Sequence, residues 1–88
     1  MWMANPIHDP NSQVFRQMLV EARTTCGLLQ ADLAEKLGKH QSFVSKYERG
    51  ERRLDFPEFI TIADALGLDA PAFIEEYRSR IARSHPMI

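Results

Sequence analysis

The chain has little of what marks an enzyme, a secreted protein or a membrane protein. Its 88 residues hold one cysteine, Cys26, which rules out an intrachain disulfide framework and suits a reducing compartment. No apolar run approaches the roughly 18 residues needed to span a bilayer. The opening MWMANPIHDP has neither a basic n-region nor an apolar h-region, so it does not read as a secretion signal. The three histidines are scattered, no cluster of His, Cys and carboxylate has metal-ligand spacing, and no glycine-rich phosphate loop is present. These absences point away from catalysis, metal and cofactor, and towards a cytoplasmic protein with no membrane partner. Period-two alternation is missing as well, so strands are not expected.

Net charge is also scarce, at −1 overall, but its distribution is uneven. From Lys36 to Arg53 six basic residues face only Glu48 and Glu51, a local balance of +4. From Leu54 to Tyr77 there are six acidic residues and no Lys or Arg, a balance of −6. Such segregation is what an electrostatic footprint on one face looks like, although short chains also reach it by chance.

What remains is helical periodicity in a length sufficient for one core. Residues 1–11, with Pro6 and Pro10, read as an N-terminal arm, 12–83 as the domain and 84–88 as a tail. The first helix is expected to start near Ser12 as N-cap. It carries the stripe Phe15, Met18, Leu19, Ala22, Cys26, with Cys26 a core thiol and Gly27 as the stop. A second helix spans about 30–37 and buries Leu33, Ala34 and Leu37, and Gly38 turns the chain. A third spans about 41–49. In DFPE, Asp55 as N-cap and Glu58 three residues into the helix form a capping box. The fourth helix then buries Phe56, Phe59, Ile60, Ala63 and Leu66, and closes at Gly67. Asp69 caps a fifth, which carries Phe73, Ile74, Tyr77 and Ile81. Five short helices with connections of a few residues make an all-α domain. The short turn between the second and third has helix-turn-helix spacing, in which the second of the pair can enter a major groove.

At about 100° per residue, Val44 and Tyr47 share one side of the third helix. Gln41, Ser42, Ser45, Lys46 and Arg49 share another, which bears no carboxylate. Gln pairs with adenine, Ser with several base edges and Lys with guanine, so this face has base-reading chemistry. Glu48 falls near the buried side, where an unpaired carboxylate is costly and a cationic partner is required.

The run QADLAEKLGKHQSFVSKYERGERR, with ALG closing the fourth helix, resembles the Cro/repressor-type helix-turn-helix family, the xenobiotic-response-element class of bacterial and phage regulators. The likeness extends over roughly Phe15 to Ile74 and implies a five-helix lambda-repressor-like fold. It implies that Gln30 contacts a phosphate and braces Gln41. Gln41, Ser42, Ser45 and Lys46 then reach base edges, while Lys39, Arg49, Arg52 and Arg53 hold the DNA backbone. It also implies that Arg23 is the internal partner of Glu48.

The chain departs from that pattern in three places. Leu29 and His40 occupy N-cap positions where Ser or Thr is favoured. His40, if it faces DNA, makes binding pH-sensitive. Glu51 takes a loop position where a basic residue is common and weakens one phosphate contact. Phe43, on the border of the core and DNA faces, either packs beside Tyr47 or touches a thymine methyl or a sugar.

The expected function is sequence-specific binding of a double-stranded DNA operator by a homodimeric transcriptional regulator, most simply a repressor or autoregulator. Tyr77, Ile81, Met87 and Ile88 either form the dimer contact or finish the monomer core. The alternative is a protein-interaction module, or an antitoxin or controller component, that binds a protein partner.

Overall fold

The computed structural model describes residues 9–84, and its architecture follows from where helices can start and stop. The expected arm and tail (residues 1–8 and 85–88, including Met87 and Ile88) lie outside the described residues. Helix α1, Pro10–Thr25, begins two residues before the expected start at Ser12. The cap is Asp9, whose carboxylate accepts the Ser12 N–H at 3.1 Å. Pro10 suits the first helical position because an amide there has no helical acceptor. Ser12 therefore belongs to the first turn, and its hydroxyl donates to the same carboxylate at 3.3 Å.

Helices α2 (Gln30–Leu37), α3 (Gln41–Glu48), α4 (Phe56–Leu66) and α5 (Ala70–Ser84) follow, with no strand among the described residues. Gly38 and Gly67 adopt φ of 66° and 67° at the ends of α2 and α4, a left-handed turn that glycine enters without steric penalty. At α4, Asp55 accepts the Glu58 N–H at 2.8 Å and Glu58 accepts the Asp55 N–H at 3.0 Å. Both expected halves of that capping box are present. The Asp69 carboxylate accepts the Ala72 N–H at the start of α5.

The core draws on every helix. Met18 and Leu19 of α1 meet Leu33 and Ala34 of α2, Val44 and Tyr47 of α3, Phe59, Ile62, Ala63 and Leu66 of α4, and Phe73 of α5. Phe15 stands edge-on to Phe59, Phe73 and Tyr77, with ring centroids 5.6, 6.1 and 6.5 Å away. Aromatic edge-to-face pairs add to the area they bury. Arg80 of α5 reaches Glu21 of α1 at 2.9 Å and locks the outer pair of helices.

Two expected core positions are not in the core. Phe56 is 65% exposed, because it occupies the first turn of α4, where the chain is still entering the domain; Ile62, one position outside the expected stripe, is buried. Cys26 is exposed, because it follows the last turn of α1, although its Sγ lies 3.4 Å from the Leu66 carbonyl oxygen. No described helix is long and apolar enough to cross a membrane.

Candidate nucleic-acid interface

The placement of α3 depends on one buried cation. Arg23, on the last turn of α1, donates through Nε and Nη2 to Glu48 Oε2 and Oε1 at 2.7 and 3.0 Å. Its Nη1 donates to the Leu28 carbonyl at 2.8 Å, so the guanidinium ties α1, the turn before α2 and the end of α3 together. The two side chains are only 11% and 6% exposed. Losing either partner would strand a charge away from water, which makes the pair a structural anchor for α3. The hydrogen bond to Glu48 raises the pKa of Arg23 further above its ordinary value, against the opposing effect of burial.

Gln30 completes this cluster. Its Nε2 donates to Glu48 Oε1 at 2.8 Å, so the residue it braces is Glu48 and not Gln41. The reason is reach: Glu48 lies at the buried end of α3, and its second lone pair needs a donor. The second Nε2 hydrogen of Gln30 has no acceptor among the described residues.

With this anchor in place, Val44 and Tyr47 are fully buried, whereas Gln41, Ser42 and Lys46 are exposed and Ser45 is half-buried. The structure thus brings the four base-reading candidates onto one outward face. His40 caps the helix better than expected: its Nδ1 accepts the Ser42 N–H at 3.1 Å, and an unprotonated ring nitrogen serves as well as a hydroxyl. Leu29 offers no acceptor at the start of α2. Instead the Asp32 carboxylate accepts the Leu29 N–H at 2.8 Å.

The aromatic at the border has three neighbours. Phe43 packs edge-on to Tyr47 at 5.6 Å, and the cations of Arg52 and Lys39 lie 4.8 and 5.4 Å from its ring centroid. The ring therefore packs on Tyr47, as one of the two expected readings had it, and it also gathers two cations beside the N-terminal half of α3. Arg52 is fixed from the other side by Glu58, at 2.8 and 3.0 Å. That bond, followed by the Asp55 N–H, pulls the Glu58 carboxyl down to about 2.

Arg49 is exposed, but all three of its nitrogens are engaged. Nε and Nη2 donate to Glu51 at 2.9 and 3.0 Å, and Nη1 donates to Ser45 Oγ at 2.6 Å. The bond to Arg49 holds the Glu51 carboxyl below its usual value. Arg53 is exposed in the same loop.

Three further contacts at the loop after α3 were not expected from the sequence. The Arg16 guanidinium lies against Gly50, so close that a Cβ there would fall 2.8 Å from Arg16 Cζ. The clasps Arg49–Glu51 and Arg52–Glu58 are the other two. All three cross a loop whose path periodicity does not describe.

A family model described as helix-turn-helix matches residues 19–73. Solved structures share the fold, and two of them are similar over most of the chain. An XRE-family like protein from Pseudomonas syringae pv. tomato str. DC3000 is 40% identical, with 84% of this chain and 90% of that one covered and a TM-score of 0.78. A mutant of the restriction-modification controller protein C.Esp1396I is 26% identical, with 90% and 95% covered and a TM-score of 0.73. No curated protein matches the chain. The matched segment spans the end of α1, which carries Arg23, and the whole of α2, α3 and α4, so it includes the exposed face and both partners of its anchor. The chain belongs to the Cro/repressor-type helix-turn-helix family, the XRE class of DNA-binding regulators.

Proposed function

We propose that this regulator binds a specific double-stranded operator with α3 in the major groove, acting in the cytoplasm as a repressor or autoregulator. The observation that carries the reading is the outward face of α3. Gln41, Ser42, Ser45 and Lys46 stand on it without a carboxylate, on a helix fixed from behind by Arg23 and Glu48. Gln41 and Lys46 read adenine and guanine edges, and Ser42 and Ser45 supply shorter contacts. Lys39, Arg52 and Arg53, with Arg49 once released from Glu51 and the second Nε2 hydrogen of Gln30, hold the phosphates. His40 stays at the rim of this face as a cap.

The active form in this proposal is a homodimer on an imperfect palindrome, with half-sites about 34 Å apart. An apolar groove of about 670 Å³ favours an interface on that side: it is lined in part by Phe56, Ile74 and Tyr77, of which Phe56 and Ile74 are exposed. The likeness to a restriction-modification controller protein supports a regulatory role.

Fluorescence anisotropy with duplex DNA across a salt series tests the reading. With about eight phosphate contacts per dimer, log K against log salt should have a slope near −7. Binding that ignores salt, or none, would move the assignment to a protein-interaction module, and sedimentation at micromolar concentration tests the dimer separately.

A further inference from the structure

Arg49 differs from the other cations around α3 in what holds it. Arg52 is tied by Glu58, but Glu58 has a structural duty of its own, since it accepts the Asp55 N–H and caps α4. The Glu51 carboxylate has no such duty: among the described residues it accepts only the two bonds from Arg49. The side chains of Arg49 and Glu51 are 53% and 56% exposed, so the pair can open into water without disturbing the core. Its geometry, two parallel N–H···O bonds into one planar fork, is also that by which an arginine grips two phosphate oxygens.

We propose that Glu51 is an intramolecular stand-in for a DNA phosphate, which occupies the guanidinium of Arg49 until the backbone of the operator displaces it. This rests on the reading that Arg49 contacts the DNA backbone. Its consequence goes beyond a missing loop cation. Each protomer exchanges one carboxylate for one phosphate on binding, and the displaced carboxylate stays beside the negatively charged strand. Glu51 therefore lowers affinity, and it does so equally on every sequence, because phosphates carry no base identity.

The experiment is a double-mutant cycle between Arg49 and Glu51, read by anisotropy on a selected operator and on a random duplex of equal length. Glu51→Gln should tighten binding to both duplexes by the same factor, about three- to ten-fold for a dimer, given the modest strength of exposed pairs. In an Arg49→Ala background the same change should give a much smaller gain, because the partner is absent.

An undiminished gain in that background would mean that Glu51 acts as a general charge, and it would overturn the proposal. So would no gain at all, or a gain confined to one of the two duplexes. Salt-dependent binding by the wild type together with any of those results leaves the DNA-binding reading standing and removes this inference alone. A wild type that binds neither duplex removes both.

Discussion

Arg23 and Glu48 show how one residue pair converts a fold into a presented surface. Arg23→Met should destabilise the domain by about 3 kcal/mol or more, read from urea denaturation, because it strands the Glu48 carboxylate. An unchanged midpoint would mean that the pair is not an anchor. Tyr47 makes the opposite prediction. Its hydroxyl is buried without a hydrogen-bond partner among the described residues, and burial followed by the charge of Glu48 pushes its pKa well up. Tyr47→Phe should leave stability unchanged or raise it by up to about 1 kcal/mol, since it removes an unpaired polar atom and keeps the ring.

At Glu58 the pH dependence has a definite sign. Its folded pKa, about 2, lies below the ordinary value of 4.5. The stabilisation from Arg52 and the Asp55 N–H is thus complete above the ordinary value and is lost as pH falls through 4.5 towards 2. Glu58→Gln should remove part of the acid-side slope of stability, measured as urea midpoints on either side of that window. The glutamine keeps an acceptor for the Asp55 N–H, so what is lost is the charge.

Among the elements, the ends of the helices decide what α3 can do. Gly50 follows α3 with φ of 81°, and the Arg16 guanidinium occupies the space where a side chain would begin. Gly50→Ala should destabilise the domain by about 1–2 kcal/mol, through left-handed strain and displacement of Arg16. A neutral result in thermal unfolding would show that the turn relaxes freely. His40 caps the start of α3, where its Nδ1 accepts the Ser42 N–H.

The helices themselves were largely legible in the sequence, because apolar spacing, Gly38, Gly67 and the Asp55–Glu58 box are local signals. Residue type does not single out Asp9 as the first cap, because Ser12 is an equally good capping residue. Only the chain path shows that Asp9 reaches the free amides. The bracing of Glu48 by Gln30, the cations around Phe43 and the Glu51 clasp were hidden for another reason. Each depends on side-chain reach between elements, which a helical wheel does not encode.

At the scale of the whole molecule, a chain of net charge −1 is proposed to bind a polyanion. Bulk charge is not the relevant quantity: Lys39, Lys46, Arg52 and Arg53 cluster on and beside α3, and of these Arg52 is paired with Glu58 of α4. The central claim is that the exposed face of α3 reads base identity. The most direct test is selection of bound duplexes from random DNA by the wild type and by Lys46→Ala, with Arg53→Ala as the phosphate-contact comparison. The account predicts an enriched two-fold motif for the wild type. Lys46→Ala should relax the preference at one position of each half-site, at a loss of about 1–3 kcal/mol, whereas Arg53→Ala should weaken binding and leave the motif intact. No enriched motif for the wild type, or a motif unchanged by Lys46→Ala, would contradict it.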